Sequence, residues 1–125
     1  MIKITTQKAK ELHLFISKMT GGDPGIRDEA LLESALVAPF ATFGGEELYP
    51  TTEQKAARLC HSLIANHAFV DGNKRIGMFA LLIFLDVNGF KFNVTTSEVE
   101  RLGLALAAGE MGYEELLDFI RVHRA

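Results

Sequence analysis

The sequence contains little cysteine, no excess of positive charge and no long apolar run. Its single cysteine, Cys60, cannot form a disulfide within the chain, and no signal peptide opens the sequence, so we expect a reducing cytoplasm. The longest apolar run, Met78 to Leu85, is far shorter than the roughly 20 residues that cross a bilayer, so we expect no membrane partner. The net charge of -3 likewise argues against direct DNA binding, which usually requires a basic surface.

A length of 125 residues with 48% hydrophobic content is typical of one domain with a real core. The sequence has no repeat, low-complexity tract or linker, so we expect residues 1–125 to form a single domain. Apolar residues recur at spacings of three and four, which predicts an all-α fold of about six helices. The predicted helices cover about residues 6–19, 28–38, 51–66, 73–89, 95–109 and 113–123, and residues 90–94 are predicted as a short strand.

Local residue patterns set the boundaries of these predicted helices. Asp28 is expected to cap the second helix. Thr51 with Gln54, and Thr95 with Glu98, have the spacing of capping boxes that open the third and fifth helices. The fourth helix is apolar on every side over residues 78–85, so we expect it to be the buried central helix.

The segment PFATFGGEELYP, residues 39–50, lacks the helical pattern. Gly44 and Gly45, flanked by Phe43 and Tyr49, predict a turn or a short hairpin. We interpret this segment as a mobile flap in an otherwise helical chain.

Between the third and fourth predicted helices lies the string NHAFVDGNKRIG, residues 66–77, which is dense in functional groups. A helix start has free backbone N–H groups and the positive end of the helix dipole, so it attracts anions. Cations in such a first turn should cost roughly 0.3–1 kcal/mol each, yet Lys74 and Arg75 occupy it. We infer that a ligand supplies the missing negative charge and that this ligand carries phosphate.

The other residues of the string suit phosphate chemistry. His67 can be neutral at about pH 7 and take a proton from an attacking hydroxyl group. Asp71 offers the hard oxygen ligands that Mg²⁺ prefers. Gly72 lets the backbone approach a phosphate, and Asn73 can orient the loop or the ligand. Phe69 is expected to hold the bend in the core.

Each of these residues also has a purely structural interpretation. His67 follows Leu63 by four residues and could be a core histidine, while Asp71 could cap the next helix. The two residues after Asp71 could merely form the turn, and the two cations that follow could point into solvent. A zinc site that also used Cys60 and His61 would have irregular spacing and only one cysteine, which disfavours it.

The pattern H-x-F-x-D-G-N-K-R of residues 67–75 resembles the signature of the Fic/Doc superfamily, and specifically of its Doc (death-on-curing) toxin branch. Typical Fic proteins have glycine where this chain has Lys74, and a further arginine where it has Met78. Both departures point to the Doc branch. The segments GGDPGIRD, ATFGGEELYPT and FLDVNGF also resemble Doc sequences, so the resemblance covers nearly the whole chain.

The resemblance implies a compact helical toxin of a type II toxin–antitoxin system, encoded beside a small Phd-like antitoxin. Doc toxins transfer the γ-phosphate of ATP to a threonine of translation elongation factor Tu, which blocks protein synthesis. By this resemblance His67 is the general base, and Asp71 holds Mg²⁺ or assists that base. The residues that would cradle the phosphates are Gly72, Asn73, Lys74 and Arg75. A lysine at position 74 is thought to crowd the usual α-phosphate site, so that ATP binds reversed.

The flap of the family docks the target as an extended segment, a role that would fall here to Phe43, Gly44 and Gly45. Many Fic proteins inhibit themselves with a Ser/Thr-x-x-x-Glu-Gly/Asn helix. The segment from Thr96 to Glu100 matches only its first part, so we expect a separate antitoxin. Two other functions stay open: a Fic-type protein AMP-transferase that uses the same loop, and a non-catalytic binding module that keeps the fold.

Overall fold

Six α-helices and one short hairpin make up the computed structural model, which describes residues 1–125. The helices are α1 (Thr6–Thr20), α2 (Glu29–Val37), α3 (Thr52–Asn66), α4 (Asn73–Val87), α5 (Thr96–Ala107) and α6 (Tyr113–Val122). A single 3₁₀ turn, Ala38–Phe40, follows α2, and the antiparallel strands β1 (Thr42–Phe43) and β2 (Glu46–Glu47) form the hairpin. The predicted all-α fold with six helices and a flap hairpin is therefore confirmed.

The helix starts follow the predicted caps. The Asp28 side chain accepts a hydrogen bond from the Leu31 amide, which satisfies one of the free N–H groups that open α2. Both capping boxes form at the starts of α3 and α5, with the threonine and the residue three positions later each accepting from the other's backbone amide. These bonds span three residues, so local sequence is enough to specify them.

Helices α3 and α4 form the centre of a buried cluster of 26 residues. Gly77 of α4 permits their close approach, because a Cβ atom there would lie 2.6 Å from Cγ1 of Ile64 on α3. The expectation that α4 is buried on every side is wrong at Phe79, which is 43% exposed. Phe79 faces a groove that runs between α1, α4 and α5.

The strand predicted for residues 90–94 is also wrong. Only an isolated bridge pairs Phe92 with Arg124. Its two backbone bonds run from the Asn93 amide to the His123 carbonyl at 2.7 Å and from the Ala125 amide to the Lys91 carbonyl at 2.9 Å. A strand requires several successive paired residues, and this segment pairs at one position only. No helix in the structure combines the length and the apolar character needed to cross a membrane.

Candidate functional site

The candidate site is the bend between α3 and α4, which begins at His67. His67 ends α3 in the left-handed region, with φ 49° and ψ 48°, and is the only non-glycine residue with positive φ. That conformation costs about 1–2 kcal/mol for an ordinary residue, so surrounding contacts must hold it. The side chain is exposed, and the interpretation of His67 as a core histidine is therefore wrong.

The segment before α2 pairs with this bend along its backbone. The Val70 amide donates to the Gly25 carbonyl at 3.0 Å, and the Arg27 amide donates to the Ala68 carbonyl at 2.8 Å. The Arg27 side chain adds to this backbone pairing, because its Nε donates to the His67 carbonyl at 2.6 Å. Arg27 was not predicted as part of the site. It lies 40 residues before His67 in the chain, so no local sequence pattern connects the two residues.

The inner side of the bend rests on a histidine of α1. His13 is 1% exposed and stacks on Phe69, with ring centroids 3.7 Å apart and planes 11° apart. Its Nε2 lies 2.7 Å from the Asp71 carbonyl, which can only accept, so Nε2 carries the proton. The buried, hydrogen-bonded histidine of this protein is thus His13 and not His67, and Phe69 is buried as expected. Sequence reasoning missed His13, whose position on the buried face of α1 was the only available signal.

The first turn of α4 has no side-chain cap. Gly72 occupies the N-cap position with φ 79°, and no side chain accepts from the amides that follow it. Asn73 instead turns back, accepting from the Phe69 amide and donating to the Phe69 carbonyl, both at 3.0 Å. The amides of the first turn therefore remain available to an anion, and Lys74 and Arg75 lie in that turn as predicted.

Asp71 does not cap α4, contrary to the structural alternative. Its Oδ1 accepts from the amide of Gly72, the next residue, at 2.8 Å. Its Oδ2 lies against the loop after α1, because a Cβ atom at Gly22 would be 2.9 Å from it. Gly22 therefore leaves room for the carboxylate, which remains exposed to solvent.

One open cavity of about 400 Å³ collects the predicted residues. It is lined by His67, Asp71, Gly72, Asn73, Lys74 and Arg75, together with Ile64, Val70 and Ala107. Lys74 and Arg75 also line the neighbouring groove, so the cavity and the groove share a wall. The aliphatic stem of Lys74 packs on α5, where a Cβ atom at Gly103 would lie 3.5 Å from its Cγ and Cδ.

Met78, the second position that departs from typical Fic proteins, lies in the core beside Cys60. Met78 is 6% exposed, and its sulfur lies 4.0 Å from the Cys60 thiol. Complete burial raises the pKa of Cys60 to about 12, so this thiol cannot act as a nucleophile near neutral pH. No three side chains among the histidines, cysteine and carboxylates are grouped so that they could hold a metal by themselves.

The hairpin forms as predicted, with Gly44 at φ 60° and Gly45 at φ 83° in its turn. Phe43 is 80% exposed, and none of these three residues lines the cavity. The base of the hairpin is anchored by Lys55 of α3, a buried lysine whose Nζ lies 2.9 Å from the Glu47 carboxylate and also donates to the Tyr49 carbonyl. Lys55 was not predicted as part of this region.

These features define a class of protein: an all-α fold whose central helix begins, without a side-chain cap, at a bend that carries an imidazole and a carboxylate. The Fic/DOC family model matches residues 3–85, and the chain therefore belongs to the Fic/DOC family. It is 48% identical over 69 residues to the toxin Doc of Mycolicibacterium smegmatis, an alignment that covers 55% of this chain and 53% of that protein. The chain thus spans about half the length of that relative. It is 28% identical over 121 residues to the protein kinase doc of Escherichia phage P1, covering 97% of this chain and 94% of that protein.

Proposed function

We propose that this protein is the toxin of a type II toxin–antitoxin system and acts as a protein kinase. It transfers the γ-phosphate of ATP to a threonine of translation elongation factor Tu and so blocks translation. The observation that carries the proposal is that His67, Asp71 and the uncapped first turn of α4 line the same open cavity. The names of the two relatives, a toxin and a protein kinase, support it at the level of the family.

The residues divide the work of phosphoryl transfer between them. The uncapped amides with Lys74 and Arg75 bind and orient the phosphates, because a helix start and two cations favour negative charge. His67, which is exposed on the same cavity, takes the proton of the threonine hydroxyl. The hydroxyl oxygen then bonds to the γ-phosphorus, the bond to the β–γ bridging oxygen breaks, and ADP leaves. Positioning and charge stabilisation supply most of the rate in such reactions.

Asp71 is the residue that would hold Mg²⁺. A single exposed carboxylate fits this ion, which is commonly bound by one or two carboxylates together with substrate phosphates and water. Bound there with ATP, the ion would neutralise charge on the phosphates. The Gly72 amide, which donates to Oδ1, helps to fix the orientation of the carboxylate.

The decisive experiment is to incubate the purified protein with elongation factor Tu, ATP and Mg²⁺ and to measure the intact mass of the target. Addition of a phosphate supports the proposal. Addition of AMP would show instead that ATP binds in the ordinary orientation and that the protein is an AMP-transferase. An unmodified target would contradict both enzymatic functions and leave the binding module.

Asp71→Asn should weaken the use of Mg²⁺ without weakening the fold. Asparagine keeps an oxygen for the Gly72 amide but removes the charge, so stability should change by less than about 1 kcal/mol. The Mg²⁺ concentration for half-maximal transfer should rise by at least the roughly 10–100-fold that loss of an outer-shell partner costs. A Mg²⁺ titration of activity beside a thermal melt measures both, with the exposed Asp118→Asn on α6 as control. An unchanged Mg²⁺ response would remove Asp71 from the metal site.

An antitoxin is the expected partner, and the groove beside the cavity suits it. The groove has a volume of about 540 Å³, and its polar lining residues are Thr20, Lys74, Arg75, Thr96 and Glu100. Its apolar residues are Ile16, Met19, Met78, Phe79, Val99 and Leu104. An amphipathic helix of the antitoxin would bury this surface and reach the phosphate-binding cations.

Leu104→Asp should therefore prevent neutralisation by the antitoxin while sparing toxicity. Leu104 is 59% exposed, so the change costs little folding energy but places a charge within the groove. Growth of cells that co-express the variant with its adjacent antitoxin gene should stay arrested. The matched control is Val122→Asp on α6, which is 78% exposed and lies outside the groove. Normal rescue of the Leu104 variant would exclude the groove as the docking site.

A further inference from the structure

The carboxyl end of α3 lacks the backbone bonds that usually close a helix. Helices that end in a left-handed residue are commonly capped by an amide just beyond the end, which donates back into the last turn. Here no amide beyond Asn66 returns to α3. The Phe69 amide donates instead to Asn73, and the Val70 amide donates to Gly25.

Arg27 takes over this capping role from outside the bend. Its Nη2 donates to the Asn66 carbonyl at 3.1 Å, its Nε to the His67 carbonyl at 2.6 Å, and its amide to the Ala68 carbonyl at 2.8 Å. The three successive carbonyls of Asn66, His67 and Ala68 thus all accept hydrogen bonds from Arg27. A guanidinium suits this arrangement, because its donors lie in a rigid plane and its charge complements the negative end of a helix dipole.

We propose that Arg27 is a positioning residue that holds His67 in its left-handed conformation and so directs the imidazole into the cavity. The proposal rests on the proposed role of His67 as the general base. Arg27 itself does not line the cavity, and its guanidinium is engaged with the backbone of the bend. It therefore acts on the reaction through His67 and has no contact of its own with the phosphates.

Loss of Arg27 should affect the reaction much more than the fold. The side chain is exposed, so water can replace its hydrogen bonds to the two carbonyls. Without it, His67 is free to leave a conformation that ordinary residues disfavour, and the imidazole moves away from the attacking hydroxyl. Misplacement of a catalytic group by about 1 Å can cost on the order of 10²-fold in rate.

The kinetic test compares Arg27→Ala, Arg27→Lys and the wild type in the transfer assay. For Arg27→Ala we expect kcat to fall about 10- to 100-fold while KM for ATP stays within about twofold. Lysine, which offers a point charge to one carbonyl at a time, should recover part of the loss. Arg121→Ala on α6, another partly exposed arginine, serves as control. An unchanged kcat, or a higher KM for ATP at unchanged kcat, would overturn the proposal.

Amide hydrogen exchange tests the same idea without the reaction. In Arg27→Ala the Val70 amide should exchange at least about tenfold faster, because the bend is released from the segment before α2. The Leu81 amide in the buried part of α4 should keep its protection and reports that the fold is intact. If the wild type modifies no target, the proposed function fails, and exchange still decides the role of Arg27. Unchanged protection of Val70 would overturn that role.

Discussion

Replacing His67 with asparagine is expected to reduce transfer to elongation factor Tu by about 10²–10⁴-fold, the usual cost of losing a general base. Asparagine is the sharper choice over alanine because it tolerates the left-handed conformation that His67 adopts. The imidazole is exposed and contributes no core packing, so the free energy of unfolding should hardly change. The loss would therefore report chemistry and not structure.

The assay measures modification of the target by intact mass together with growth arrest in cells. His67→Ala should behave like His67→Asn in both measurements. His61→Asn, on the same helix and outside the cavity, is the matched control and should retain activity. Full toxicity in a well-folded His67→Asn protein would rule out the catalytic role.

Lys74→Gly is expected to change which phosphate of ATP is attacked, and to do so more than it weakens binding. The Lys74 stem forms the wall between cavity and groove and packs opposite Gly103 on α5. Glycine would leave two facing glycines and open that wall, while the amides of the first turn stay in place. An α-phosphate could then enter the anion site, and His67 would remain to activate the hydroxyl.

The expected product is less phosphorylated target with some addition of AMP to elongation factor Tu or to the enzyme itself. The gained activity should be poor, because the further arginine of typical Fic proteins is replaced here by the buried Met78. Lys74→Met separates the effect of the side chain's bulk from that of its charge. Loss of the charge should lower phosphate transfer. No AMP should be added, because methionine still fills the space that lysine occupies. Undiminished phosphate transfer by Lys74→Gly would show that position 74 does not set the orientation of ATP.

Local patterns predicted much of this protein because the interactions behind them are local. The cap at Asp28 and the box of Thr51 with Gln54 join atoms three residues apart, so the helix starts could be predicted closely. The hairpin depended on two glycines with positive φ. The strand over residues 90–94 failed for the opposite reason, because a strand requires a partner segment and only one bridge to Arg124 was available.

The candidate site likewise has features that local sequence predicts and features that depend on distant contacts. The bend, its cations and its uncapped helix start lie within nine residues, from His67 to Arg75, and their sequence indicated an anion site. Which histidine would be buried could not be predicted, because His13 meets Asp71 across 58 residues of chain. Helical periodicity indicates that a face is apolar, but it does not identify the loop that this face will meet.

The sequence by itself determined the six helices, the hairpin turn and the chemical content of the bend, since each depends on residues close together in the chain. Only the tertiary structure decided that His67 faces solvent, that Arg27 caps the carboxyl end of α3, and that Lys74 separates the cavity from the groove. These three outcomes depend on contacts between segments that are distant in sequence. Such contacts are fixed by how the apolar faces of α1, α3, α4 and α5 pack together, which no local pattern specifies.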